Sequence, residues 1–256
     1  MMPQWLSLSL TLAFLNLDVL AVGQFMLSRP IVVGPLVGFL TGRPDLGLEM
    51  GALIELIWIS DIPVGAHLPI DSTVLTGVAV ALASELAQKS TPPEAAITFA
   101  IGVAIPLALL SLEAEILIRK FHVRWMHLAQ KQALASHFRT FEWVNGLVLL
   151  EILLKGFLVA AVALNVAHLA LPLFHMLPPK ALEGLTYANW LLLALGCSAV
   201  IDALIDRKTA LLLFLSIVLL MGLAAGLQIQ GVLLVALVLF AGLLATLFYA
   251  GKGEAS

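Results

Sequence analysis

Charge is scarce in this chain of 256 residues: 11% are Asp, Glu, Lys or Arg, while 61% are hydrophobic. A soluble globular chain is nearer half apolar and one quarter charged, so this composition cannot build a water-facing surface. The chain reads as an all-α, polytopic membrane protein. Cysteine is nearly absent. The lone Cys197, inside an apolar run, excludes an intrachain disulfide and a cysteine-based metal site. A formal charge of −3 argues against a nucleic-acid partner. No G-x-x-x-x-G-K-[ST], H-E-x-x-H or G-x-S-x-G pattern occurs, so no P-loop nucleotidase, zincin or hydrolase signature is present. No cofactor is called for. Active solute movement would draw its energy from another subunit or from an ion gradient. No Lys or Arg precedes Arg29, so the basic start of a signal peptide is missing. Residues 5–22 are therefore expected to be a retained membrane segment. No Gly/Ser-rich or Pro-rich linker interrupts the chain, and a single membrane-embedded domain over 1–256 is expected.

Apolar runs suited to crossing a bilayer, about 20 residues each, lie near 5–22, 72–88, 96–118, 143–170, 186–205, 209–227 and 230–250. That gives about seven spanning helices. Between residues 30 and 60 lie two shorter apolar pieces, 31–42 and 46–60, split by "GRPD". Broken or re-entrant segments are expected in this N-terminal third, 1–88. Basic residues concentrate in one stretch, 119–142, with Arg119, Lys120, Arg124, Lys131 and Arg139. Loops rich in Lys and Arg stay cytoplasmic. With 119–142 inside, Arg207, Lys208 and Lys252 also fall inside, and 90–95 falls outside. The side of the N-terminus is left open. Residues 119–139 look amphipathic, which suits either a docking surface for a cytoplasmic partner or a helix lying on the inner leaflet.

The stretch from Arg29 to Asp71 departs most from a plain anchor. It carries Arg29, Arg43, Asp45, Glu49, Glu55, Asp61, His67 and Asp71, with Pro and Gly throughout. Irregular backbone at membrane depth survives only where protein or a water-filled cavity satisfies it, and intramembrane carboxylates usually face such a cavity. Gly47, Gly51 and Glu55 share one helical face, and the glycines let another backbone approach closely. Glu55 is thus expected in a packed interior, there either to accept hydrogen bonds from sugar hydroxyls or to be held by backbone N–H groups or a basic side chain. Asp71 precedes a new helix and suits an N-cap. Its second oxygen leaves room for a substrate hydroxyl. His67 is a weaker hydrogen-bonding candidate. Trp58 suits a ring stack or an interfacial anchor. Gly34, Gly38 and Gly42 form another close-packing series, and Glu151 and Lys155, four apart, suit an internal ion pair. Asp18 and His168 have no assignable partner.

"SRPIVVGPLVGFLTG", "GLEMGALIELIWI" and "IPVGAHLPIDSTVLTG", within residues 28–77, resemble the IIC membrane subunit of the mannose/fructose/sorbose family of bacterial sugar phosphotransferase systems. The resemblance implies a multi-pass subunit of the bacterial inner membrane that takes up a sugar and is not itself an enzyme. It implies a second membrane subunit, IID, in a homo-oligomer of IIC–IID units, and cytoplasmic IIA and IIB components whose phosphohistidines deliver phosphate. It places sugar contacts at Glu55 and Asp71, and at Gln24 in the polar patch before Arg29-Pro30. Where mannose-specific members have Asn, this chain has Pro63, and "VGQFMLS" replaces an acid-rich patch; both point to another sugar or to a remnant system kept for regulation. Residue chemistry alone also admits a secondary or ABC-type permease, or a non-transporting sensor or scaffold.

Overall fold

The structure, a computed structural model, describes residues 2–59, 61, 68–87, 92–134 and 138–204. By internal contacts the chain divides into two compact units, Met1–Cys197 and Ser198–Ser256. The expected spans at 209–227 and 230–250 lie outside the described residues.

The described residues form helices α1 (Met2–Leu20), α2 (Pro30–Thr41), α3 (Pro44–Trp58), α4 (Ser72–Ala87), α5 (Pro93–Leu134), α6 (Phe138–His168), α7 (Leu171–His175) and α8 (Pro179–Leu204). No strand occurs among them. The stretches Pro93–Leu134 and Glu142–His175 are long and apolar enough to cross a membrane.

The two short apolar pieces form a tight hairpin. Pro30 and Pro44 sit at the starts of α2 and α3, where a missing N–H costs nothing. Gly42 ends α2 with a left-handed φ of 79°, and Arg43 N–H bonds back to the Gly38 carbonyl at 2.7 Å. At 12 and 15 residues, these helices are roughly 18 and 22 Å long, too short to cross a hydrocarbon core of about 30 Å. Gly34 and Gly38 face Gly47 and Gly51 backbone to backbone. A Cβ on Gly38 would stand 2.9 Å from the Gly47 Cα, and one on Gly34 would stand 2.8 Å from the Gly51 Cα. The expected glycine face is therefore present. Gly42 does not belong to it: its Cβ position is open, and the residue serves the turn.

Helix α4 is the buried centre of the unit. Val74 to Leu82 are at most 2% exposed, and the polar side chains are satisfied locally or by neighbours. Thr76 donates to the Ser72 carbonyl at 2.7 Å, and Thr73 donates to the Ser28 carbonyl at 3.2 Å. Thr41, at the hairpin tip, donates to Ser84 at 3.0 Å. Leu12 of α1 fills the space beside Gly77. On α6, Leu150, Leu154, Leu158 and Val162 form an exposed apolar stripe at helical spacing.

Helix α5 runs without interruption for 42 residues, about 63 Å. The amphipathic segment from Arg119 to Leu134 is therefore its continuation and not a separate loop element. The reason is local: no Gly or Pro follows Pro106 before Leu134, and Arg119 pairs with Glu115 one turn earlier at 2.9 Å. The expected Glu151–Lys155 pair is replaced. Lys155 donates to Glu115 across the α5–α6 contact at 2.8 Å, while Glu151 accepts from Trp125 Nε1 at 3.0 Å. Helix packing has overridden the i,i+4 spacing.

Candidate functional site

A cavity of about 390 Å³ opens where these broken elements meet. Its walls come from the end of α1, the loop before α2, the end of α3, the start of α4 and the α5–α6 pair. Glu55, Asp71 and Gln24 all line it, together with Trp58 and Asp61. His67 lies outside the described residues.

Glu55 projects from the last turn of α3 toward the start of α2. Its carboxylate takes a 2.8 Å ion pair from Arg29 and a 3.3 Å hydrogen bond from Ile31 N–H. The side chain is 14% exposed. The hairpin is thus clasped at its open end by charge and along its length by glycine contact. Both holders foreseen in the sequence, a backbone N–H and a basic side chain, are present together. Glu49 is exposed, and Arg43 pairs with Asp45 at 3.3 Å.

Asp71 caps α4 as expected: its Oδ1 accepts from Val74 N–H at 3.0 Å. Its Oδ2 accepts from Asn16 Nδ2 at 2.9 Å and from Ser111 Oγ at 2.5 Å. One carboxylate therefore ties α1, α4 and α5 together at the cavity wall. Asp61 accepts from Ile70 N–H at 3.2 Å and steadies the strand of loop before Asp71.

Asp18 gains a role that the sequence did not offer. It is 5% exposed and accepts from Phe25 N–H at 2.7 Å and Leu27 N–H at 2.8 Å. These bonds hold a loop in which Gln24 and Met26 take left-handed φ values of 52° and 64°. For non-glycine residues that conformation costs about 1–2 kcal/mol each, and it persists because buried charge-assisted bonds fix it. Gln24 is presented to the cavity by this arrangement.

The α5–α6 wall brings Glu115, Arg119 and Lys155 to the cavity, with Ser111 behind it on Asp71; none of these was evident as a site residue from sequence. Glu115 receives both Arg119 and Lys155. A signal existed: Ser111, Glu115 and Arg119 recur at i, i+4 and i+8 on one α5 face. His168 also finds a partner, Glu85 at 3.0 Å, with Trp5 packed edge-on at 5.4 Å. That cluster is at the far end of α4 from Asp71.

The cavity thus alternates acceptors and donors: Glu55, Asp71 and Asp18 beside Arg29, Asn16 and Gln24. A ligand with both hydroxyls, each donor and acceptor, and apolar faces matches this lining, in which those polar groups sit among Trp58, Ile70 and Leu112.

Known proteins place the chain. Residues 2–247 match the family described as PTS system sorbose-specific iic component. The PTS system mannose-specific EIIC component of Escherichia coli (strain K12) is 23% identical over 202 residues, covering 77% of this chain and 73% of that one. The Putative N-acetylgalactosamine permease IIC component 2 of the same organism is 33% identical over 86 residues, 34% of this chain and 59% of that one. Among solved structures, one titled "Structure of membrane protein" aligns with a TM-score of 0.67 at 21% identity, over 96% of this chain and 95% of its own. The mannose transporter ManYZ in its complex with microcin E492 aligns with a TM-score of 0.56 at 20% identity, over 98% and 96%. These two likenesses carry the fold alone. The family match spans nearly the whole sequence: the chain belongs to the sorbose-specific IIC components of the sugar phosphotransferase system, the membrane transport subunits of that machinery.

Proposed function

We propose that this chain conducts a sugar across the bacterial inner membrane as a multi-pass IIC subunit, and that a partner IIB component phosphorylates the sugar on the cytoplasmic side. A IID membrane subunit completes the translocator, IIA feeds IIB with phosphate, and IIC–IID units associate as a homo-oligomer. The observation that carries the reading is the clasped, glycine-packed hairpin whose carboxylate, Glu55, faces a cavity that carries several polar and charged side chains among apolar walls. Glu55, Asp71 and Gln24 contact sugar hydroxyls, and His67 remains a candidate on sequence grounds. A sugar would exchange its hydroxyls for the Asn16 and Ser111 donors now on Asp71, or add to them through the remaining lone pairs.

Sidedness follows from charge. The basic end of α5 lies inside. The Trp5–His168–Glu85 cluster, at the other end of α4 from Asp71, then lies outside, and so does the start of α1. Ser111 is 18 residues beyond Pro93, about 27 Å down the helix, so the cavity sits toward the cytoplasm.

The test is sugar uptake and phosphorylation in vesicles reconstituted with all four components, with Glu55→Gln and Asp71→Asn compared with the parent. Uptake that follows phosphoenolpyruvate and loses apparent affinity in both variants is expected. Unchanged affinity in both would remove the binding assignment. Uptake driven by a proton gradient or ATP, or none, would replace the reading with a different permease or a sensor.

A further inference from the structure

We infer that Arg119 and Lys155 form a second subsite in the cavity, one that holds the phosphoryl group of the sugar phosphate before release. This rests on the uptake reading above and adds to it a site for the charged product.

The charge arrangement on this wall is lopsided. Two cations share one carboxylate: Arg119 Nε reaches Glu115 Oε1 at 2.9 Å, and Lys155 Nζ reaches Glu115 Oε2 at 2.8 Å. These three groups alone carry one excess positive charge, at the edge of a cavity whose other charged walls are the carboxylates of Asp18, Glu55, Asp61 and Asp71 and the Arg29 cation. Donors remain as well. Arg119 uses its Nε on Glu115 and keeps the outer face of its guanidinium, while an ammonium carries three donors and Lys155 spends one on Glu115. Lys155 is 5% exposed at its side chain, so its charge is held out of water beside the cavity. Arg119 is 50% exposed and able to swing onto a ligand. A guanidinium matches a phosphoryl group bidentately, and an ammonium serves it as a point charge.

Position supports the chemistry. Ser111 touches Asp71, Glu115 lies one helical turn further along α5, and Arg119 another turn. The step from Ser111 to Arg119 is about 12 Å, directed toward the basic end of the helix. Carboxylates that accept sugar hydroxyls thus lie deep, and the cations lie on the side from which a phosphoryl donor approaches. A sugar phosphate lies along this axis with its ring at Asp71 and Glu55 and its ester at Arg119. Glu115 holds the cations ready and competes with the phosphoryl group for them. That competition keeps product binding weak enough for release.

The sign of that competition gives the test. The full chain with its membrane partner, in lipid nanodiscs, is titrated calorimetrically with inorganic phosphate. Mannose, sorbose and N-acetylgalactosamine follow, then the phosphate ester of each. One ester is expected to bind at least tenfold more tightly than inorganic phosphate. Arg119→Gln should weaken that ester at least tenfold more than it weakens the parent sugar, with Arg119→Lys partly restoring it. Glu115→Gln should tighten phosphate and ester several-fold, an effect that a merely structural Glu115 would not produce. Absence of phosphate and ester binding in the parent protein would overturn the subsite, as would equal losses for sugar and ester in Arg119→Gln. Inorganic phosphate bound without any ester would mean a free-phosphate site and overturn the product assignment. An ester bound with no parent sugar bound would support the subsite while removing the uptake reading.

Discussion

Gly51→Ala tests the hairpin at the point where it meets the site. A Cβ there would stand 2.5 Å from the Pro30 carbonyl oxygen and 3.3 Å from the Gly34 Cα. Both are backbone atoms, so no side chain can rotate away. Opening the nearer contact to the 3.4 Å of ordinary packing moves α2 and α3 apart by about 0.9 Å. Overpacking of this kind costs about 1–3 kcal/mol, and the Gly-to-Ala gain within a helix returns about 0.5–1 kcal/mol. The net loss is up to about 2.5 kcal/mol, a fall of up to roughly 10 °C in Tm for a unit of this size. Function should suffer more than stability. Glu55 lies one turn beyond Gly51, and its 2.8 Å bond to Arg29 spans the same opening. Displacement of binding groups by nearly an ångström should weaken apparent sugar affinity on the order of tenfold. Gly102→Ala is the control, because its Cβ position is open; it should raise stability by up to about 1 kcal/mol. Thermal unfolding in detergent and uptake in vesicles would be measured for both. If Gly51→Ala matched Gly102→Ala in Tm and kept normal affinity, the close-contact reasoning would be refuted.

Asp71→Ala removes the α4 cap and strands Asn16 and Ser111, so it should cost at least about 2 kcal/mol; Asp71→Asn, which keeps an acceptor for Val74, should cost less in the same unfolding assay. Lys155→Leu leaves Glu115 with Arg119 alone and should lose about 1.5–3 kcal/mol, while Glu115→Leu with Lys155→Leu should recover most of it. A double-mutant cycle showing no recovery would deny the pairing. Asp18→Ala frees the loop at 23–27, and its amides should exchange faster with deuterium while those of α4 stay protected.

How much of this was legible in the sequence depended on distance along the chain. The cap at Asp71 was readable because Asp71 and Val74 are three residues apart. Its ties to Asn16 and Ser111 were not, at 55 and 40 residues. The hairpin glycines were readable from their four-residue spacing, yet the same spacing drew in Gly42, which the turn uses instead. Glu55 announced itself as a carboxylate on a glycine face, but whether Arg29 or Arg43 would meet which acid needed the fold. The i,i+4 rule gave Glu151 to Lys155; the α5–α6 contact gave Lys155 to Glu115. Asp18 and the cation wall went unseen for the same reason. Each depends on which helix ends the topology brings together, and spacing within one helix does not encode that.

The unbroken α5 has a mechanical consequence. From Glu115 to Leu134 it contains neither Gly nor Pro, so this segment behaves as a stiff rod about 28 Å long. Its inner end bears on the cavity through Glu115, and its outer end carries Lys120, Arg124 and Lys131 on an exposed surface. A sideways push of about 5 Å at Leu134 is a rotation of only about 10° about Glu115. The helix is therefore a stiff extension of the cavity wall, pinned to α6 midway by the Trp125–Glu151 bond and at its base by Lys155 on Glu115, so a load on its basic tip passes into both helices.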